Sequence, residues 1–113
     1  MFTKHDNPGY RDSLPGIRQK TQAYGGKTLM VEFQLQKGAV RPMHRHPHEQ
    51  TGYLVSGCMD LTIGNETRRL GPDDSWCVPG NTEHGTKPVG DSVAVKVFSP
   101  VREDSMPERG GTQ

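Results

Sequence analysis

The chain has 113 residues, of which 30% are apolar, and it carries 14 Gly and 9 Pro. That length supports one domain with a modest core, and the frequent Gly and Pro fit short strands and turns better than a helix bundle. Lys+Arg is 14 and Asp+Glu is 13, a net charge of +1, which argues against nucleic acid or a membrane surface as a partner; no apolar run approaches the ~18 residues of a transmembrane helix.

The start, "MFTKHDNPGYRD", is polar and has no apolar signal core, so the expected location is the cytoplasm. Residues 1–15 read as an extended lead-in, broken at Asn7-Pro8-Gly9 and Leu14-Pro15-Gly16. In "TLMVEFQLQKG", Leu29, Val31, Phe33 and Leu35 alternate with Met30, Glu32, Gln34 and Gln36, the mark of a strand with one buried face. Gly38 and Pro42 bracket a bend. "QTGYLVSG" and "CMDLTIG" are two further strands that turn at Ser56-Gly57, and "GNETRRL" follows through a hairpin turn at Gly64-Asn65. "SWCVPGN" is a short strand stopped by Pro79-Gly80-Asn81. "HGTKP" and "SVAVKVFS" form the last pair, joined through Val89-Gly90-Asp91. The chain after Pro100 is charged or Gly-rich and is expected to be loose, with 105–113 a flexible tail. No stretch reads as a helix. Strands every 8–12 residues predict an all-β double-sheet barrel over residues 16–104. Cys58 and Cys77 could pair by count; with no secretion signal, two reduced thiols are the expectation.

"RPMHRHPHEQ" holds three of the five histidines. Side chains at i and i+2 of a strand share a face, so His44 and His46 point together, about 7 Å apart by strand rise. Gln50 follows across the Pro47 kink and can offer a carbonyl oxygen. His84, after the Pro79-Gly80-Asn81 turn, is the candidate to complete the set. A strand histidine is often structural or solvated, but this combination favours one bound divalent metal. His48 has the same parity as His46, yet Pro47 should re-aim it, and Glu49 should turn away.

The stretch Gly38-x5-His44-x-His46-x3-Gln50-x6-Gly57 resembles the first cupin motif, and "GPDDSWCVPGNTEH", Gly71–His84, resembles the second. The usual glutamate ligand is Gln50 here, and two glycine positions of the second motif are Asp73 and Asn81. The resemblance implies a double-stranded β-helix, or jelly-roll barrel, with a divalent metal inside and commonly a homodimer. Three neutral imidazoles and an amide would leave the charge of the ion uncompensated. Such a site favours an anionic ligand and acts as a strong Lewis acid. The ligand set does not choose between nickel, zinc, iron, manganese and cobalt.

The segment "VAVKVFSPVREDSM", Val93–Met106, taken with the two motifs, is similar to a narrower cupin group, the pectin-degradation proteins, which linearise 4,5-unsaturated uronates. Phe98, Ser99, Pro100, Arg102, Glu103 and Asp104 match that group's tail, and Lys96 stands where the group has an aspartate. Ala94, Lys96 and Phe98 share one face of the last strand and Val93, Val95 and Val97 the other, so one set looks into the barrel. The aspartate of the group handles a proton during ring opening. Lys96 can do so only as a neutral amine; otherwise it holds a substrate carboxylate, or lies on the surface with its stem packed on the sheet. Arg102 suits a bidentate clamp on a uronate carboxylate, against an exposed pair with Glu103 or Asp104. Phe98, Tyr53 and Trp76 are candidate walls for a sugar ring, with core packing the alternative for Phe98 and Trp76. Met43 and Met59 either line the mouth or fill the core. The expected function is a metal-dependent cupin that opens or isomerises an unsaturated uronate, its partner a small molecule. The alternatives are a non-catalytic ligand- or metal-binding cupin and a metal-dependent dioxygenase.

Overall fold

Period-two patterning places apolar side chains on the facing sides of two antiparallel sheets. The computed structural model describes residues 1–101, and these contain ten strands and no helix. In chain order they are β1 (Arg11–Leu14), β2 (Ile17–Tyr24), β3 (Leu29–Leu35), β4 (Arg41–His44), β5 (Glu49–Ser56), β6 (Met59–Ile63), β7 (Glu66–Leu70), β8 (Ser75–Val78), β9 (His84–Pro88) and β10 (Ser92–Ser99). One sheet has the order β1-β2-β3-β10-β5-β8 and the other β4-β9-β6-β7. The expected all-β jelly roll is the observed fold.

The inner face of the larger sheet is Ile17, Leu29, Val31, Phe33 and Leu35 with Leu54, Ala94 and Phe98; Met59 and Leu61 answer from the smaller sheet. Deleting such side chains costs about 2–5 kcal/mol each, because the transfer free energy is lost and a cavity is left. Met59 is therefore core, whereas Met43 is exposed. β10 lies at the centre, paired to β3 on one side and β5 on the other. Its inward residues are Ser92, Ala94, Lys96 and Phe98, all buried, and the Val93, Val95 and Val97 set is half-exposed. That settles which face of the strand looks into the barrel.

Two glycines are required by their surroundings. Gly57 has φ 99° and turns β5 into β6; a Cβ there would lie 2.3 Å from Ser92 Oγ. Gly52 faces inward, and a Cβ would lie 2.2 Å from the Trp76 indole carbons. The ring of Trp76 thus lies across Gly52, its partner in the β5–β8 ladder.

The structure departs from the fold expectations in three places, one of them β4, a strand that begins within the bend expected between Gly38 and Pro42. β2 is a full strand that the sequence reading passed over. Its alternation is hidden because a buried position holds Gln19, 2% exposed, and the exposed end is Ala23-Tyr24. The end of the lead-in is not merely extended but forms β1, paired to β2 through Arg11–Gln19 and Leu14–Ile17. Tyr10 then bonds Glu32 on β3 at 2.7 Å, and Lys20 on β2 bonds the carbonyl of Pro8 at 2.6 Å, which fastens the N-terminal segment to the outer face.

Candidate metal centre

β4 ends at His44, so only that histidine is on a strand, and His46 lies in the following turn. This corrects the expectation of two ligands in strand register. His44 instead pairs across the ladder with His84, the first residue of β9. The ring centroids are 4.2 Å apart for His44–His84, 5.0 Å for His46–His84 and 5.8 Å for His44–His46. One ring nitrogen from each lies within 4.8 Å of the others, close enough for the group to hold a metal ion.

The backbone sets the tautomer of all three. His44 Nδ1 lies 2.8 Å from the Pro42 carbonyl, His84 Nδ1 2.8 Å from the Thr82 carbonyl, and His46 Nδ1 3.1 Å from the His48 carbonyl. A carbonyl oxygen only accepts, so each Nδ1 carries the hydrogen and each Nε2 keeps its lone pair. This is how proteins orient metal-binding imidazoles: the nitrogen away from the ion is held by an acceptor. Burial pushes the His44 pKa down to about 4, and the neighbouring basic groups Arg41, His84 and Lys96 act the same way, against the opposing Pro42 hydrogen bond. The His44 imidazole is neutral at pH 7 and able to donate its lone pair.

Asn81 fixes the turn that carries His84. It has φ 61°, and its N–H donates to the His46 carbonyl at 2.7 Å, tying one histidine segment to the other. Asp73 likewise has φ 74°. Asn and Asp accept this left-handed backbone more readily than other non-glycine residues, so both replaced glycines keep the glycine conformation.

The larger sheet supplies the facing wall. Gln50, 2% exposed, opposes Phe98 in the β5–β10 ladder, and the Phe98 ring lies edge-on to His46 at 5.9 Å. The Gln50 Nε2 has no hydrogen-bond partner among the described residues. That atom is a donor and cannot ligate a cation; only the amide oxygen could, and it is the lone pairs of the three converging imidazoles that fit the implied metal. Lys96 is 5% exposed, with Nζ 4.4 Å from the centre of the Phe33 ring, a cation–π distance. It opposes Gly52, which in turn opposes Trp76. Lys96 is thus inside the barrel, and the surface alternative is excluded.

Trp76 is half-buried and lines a cavity of about 220 Å³ with Leu61, Ile63 and Leu70. Ile63 opposes His84 across the β6–β9 ladder, but no histidine lines this cavity, whose remaining walls are Glu66, Arg68 and Ser75. A larger cleft, about 820 Å³ beside Pro15 and Asp91, contains none of the site residues.

Tyr53 does not belong to the site. It has the opposite parity to Gln50, Gly52 and Leu54, is 43% exposed, and donates its hydroxyl to Asp73 on the outer face. His48 is half-buried, and its ring lies 5.5 Å from His46, but it is not one of the converging group. Glu49 is exposed and accepts from Cys77, as its outward expectation required. Cys58 and Cys77 are both free. Arg102, Glu103 and Asp104, with the tail 105–113, lie outside the described residues. The sequence reading missed Arg41, whose Nε donates to His44 Nε2 at 3.3 Å.

These features have counterparts in known proteins. KdgF from Halomonas sp. superposes with a TM-score of 0.89 at 34% identity, covering 94% of this chain and 100% of that one. An RmlC-like cupin from Shewanella frigidimarina superposes with a TM-score of 0.88 at 26% identity, covering 93% and 95%. H2HPP isomerase of Bacillus subtilis is 26% identical over 83 residues, 73% of this chain; the chain spans about a third of that relative's length, 35%. The cupin domain family matches residues 31–100, which run from β3 through both histidine segments to the end of β10. With the two sheets, the converging imidazoles and this match in agreement, the chain belongs to the cupin family.

Proposed function

We propose that this cupin is a metal-dependent enzyme that opens the ring of an unsaturated uronate, a small sugar acid. The observation that carries the reading is the pairing of two walls: the three-histidine group on one side and buried Lys96 with Phe98 and Gln50 on the other. The tail resemblance to the pectin-degradation proteins and the 34% identity to KdgF support the uronate as substrate.

His44, His46, His84 and Gln50 would hold one divalent ion, nickel, zinc, iron, manganese or cobalt. The ion would supply Lewis acidity at substrate oxygens, uncompensated by any carboxylate ligand. Phe98 and Trp76 give apolar walls for the ring. Arg102 would hold the carboxylate. Lys96 takes the place of the aspartate as the proton carrier. As an amine it accepts the proton of the anomeric hydroxyl while the bond between the anomeric carbon and the ring oxygen breaks. As an ammonium it returns that proton to the double-bond carbon, giving an aldehyde and a ketone. The reaction is an isomerisation, so atoms balance without a co-reactant. A cytoplasmic location and a homodimer accompany this reading; the half-exposed valines of β10 and exposed Met30 and Val55 would suit a subunit contact.

The test follows loss of the conjugated ultraviolet absorbance of unsaturated galacturonate with metal-loaded protein. Wild type turns over, and Lys96→Met falls by about a hundred-fold or more at unchanged metal content. If wild type leaves the substrate untouched, the uronate reading is wrong. Lys96 itself favours a second reading, a non-catalytic cupin that binds the same anion. That reading predicts a uronate-induced rise in melting temperature with no turnover, and turnover gained in Lys96→Asp.

A further inference from the structure

The inward row of β5 is Gln50, Gly52 and Leu54, all buried. Gly52 is the gap in that row, and Trp76, its ladder partner on β8, lays its indole over it. A Cβ on Gly52 would lie 2.6 Å from the indole Nε1. Gln50 opposes Val78, two residues on from Trp76, so Gln50 and Trp76 are diagonal neighbours across the ladder. Diagonal pairs lie about 7–8 Å apart, within reach of an aromatic side chain. The indole N–H and the Gln50 amide therefore share one patch of the inner wall.

Both groups end in a donor with nothing to donate to. Trp76 Nε1 and Gln50 Nε2 are buried and have no hydrogen-bond partner among the described residues. Both nitrogens only donate. Buried donors in folded proteins are nearly all paired, and an orphan costs free energy that an arriving acceptor recovers. The side chains next to Gln50 in the ladders, Val78 and Phe98, are apolar and supply no acceptor. The missing partner is an oxygen, and a sugar acid carries several. A Gln50 that gives its Oε1 to an ion keeps both Nε2 hydrogens for such a ligand, so its two roles do not conflict.

We propose that Trp76 is a hydrogen-bonding residue of the ligand site and not only an apolar wall: its Nε1–H, with the Nε2–H of Gln50, holds acceptor oxygens of a sugar acid bound against the inner face of β5. This rests on the reading of a sugar acid as ligand, but not on ring opening or on the identity of the metal. Selectivity follows from the same chemistry. A site with buried donors rejects an analogue that lacks the matching oxygen more strongly than an apolar wall rejects a change of one methylene.

Trp76 is the one tryptophan of the chain, so its indole gives a single Nε1–H cross-peak in isotope-labelled protein. The experiment titrates saturated galacturonate into Zn²⁺-loaded wild type, Trp76→Phe and Leu70→Val, and reads that cross-peak together with the calorimetric affinity. Leu70 lines the cavity beside the indole, so Leu70→Val loosens the packing around the ring and keeps the N–H. The wild-type cross-peak should move downfield on binding, and the Gln50 side-chain amide should move in step, as donors do when they gain an acceptor. Trp76→Phe should bind galacturonate about five- to ten-fold more weakly, the size of one neutral hydrogen bond. Leu70→Val should bind like wild type. Binding that leaves the indole cross-peak in place overturns the proposal. So does equal affinity in Trp76→Phe, an equal loss in Leu70→Val, or no binding by wild type. If wild type takes up no Zn²⁺, the metal reading fails and the same titration is run on the metal-free chain. Turnover of unsaturated galacturonate is scored separately: a moved cross-peak without turnover sinks ring opening alone, and turnover with an unmoved cross-peak sinks this proposal alone.

Discussion

The two walls of the site are built on different principles. The wall formed by β5 and β10 is regular ladder where it faces the site: from Ala94 to Ser99 the register is unbroken, Gln50 opposing Phe98 and Gly52 opposing Lys96, and the one shift lies beyond it at Val93/Ala94. Its side chains are placed by burial and by packing on Phe33, Leu29 and Leu54. The histidine wall is irregular. It uses the end of β4, a turn, a bulge and the first residue of β9, and each imidazole is held by a carbonyl two residues away in its own chain segment. A ladder repeats one direction at every second residue and cannot aim three rings at one point. Convergence needs breaks in the ladder, and local hydrogen bonds then replace sheet register as the source of orientation.

The largest expected effect tests whether the regular wall is mainly structural. Phe98 is 1% exposed at the centre of the larger sheet. Phe98→Ala should lose about 3–5 kcal/mol of stability in denaturant unfolding. It should still bind about one metal ion per chain, because the histidines are aimed by their own backbone. Loss of metal binding in a variant that remains folded would mean that the two walls depend on each other.

The complementary substitution lies on the other wall. His84→Ala should weaken Ni²⁺ binding by at least about a hundred-fold, more than loss of an outer-shell partner does. Its effect on stability should be smaller than that of Phe98→Ala. The two variants together form a double dissociation, read by unfolding and by metal titration on the same samples. If His84→Ala instead proves the less stable of the two, the histidine wall is carrying the fold as well.

Gln50 belongs to the regular wall, buried opposite Phe98, and changing its charge sharpens the contrast. Gln50→Glu should bind Ni²⁺ about ten-fold tighter, since a carboxylate offsets part of the ion's charge, while the metal-free protein melts lower because burying a charge in place of a neutral amide costs desolvation. The gain should come with a weaker response to galacturonate. Unchanged metal affinity would place Gln50 outside the ligand set.

The same division explains what could be inferred from the sequence. β3, β5, β6 and β10 show alternation directly, and Gly64-Asn65 marks its hairpin, so most of the fold follows from period two. β2 escaped because Gln19 is a polar residue at a buried position. The inward face of β10 was ambiguous because both of its faces hold apolar residues: Ala94 and Phe98 on one, three valines on the other. Only the contacts of the assembled sheets decide between them. Tyr53 was misplaced because being aromatic near the motif outweighed its parity. The three histidines were legible from their clustering and from the turn before His84, though not in the strand register expected, but Arg41 was not, since a bulge reverses the parity that the sequence displays and Pro42, which hints at a break in β4, does not say which residue is displaced.

The smallest effect concerns the joint between the walls and the turns. Asn81 holds a left-handed backbone and donates its N–H to the His46 carbonyl. That hydrogen bond belongs to the main chain, so a side-chain change keeps it while altering the cost of the conformation. Asn81→Ala should lose about 1 kcal/mol, because a Cβ without a polar side chain strains this region. Asn81→Gly, which restores the residue of the cupin motif, should stay within about 0.5 kcal/mol of wild type, as its conformational freedom in the unfolded chain offsets the relief. Metal affinity should be equal in all three proteins, measured beside the melting curves. If Asn81→Ala weakened Ni²⁺ binding in proportion to its loss of stability, the turn would be adjustable, and the position of His84 would depend on the side chain at residue 81 and not on the backbone bond to His46 alone.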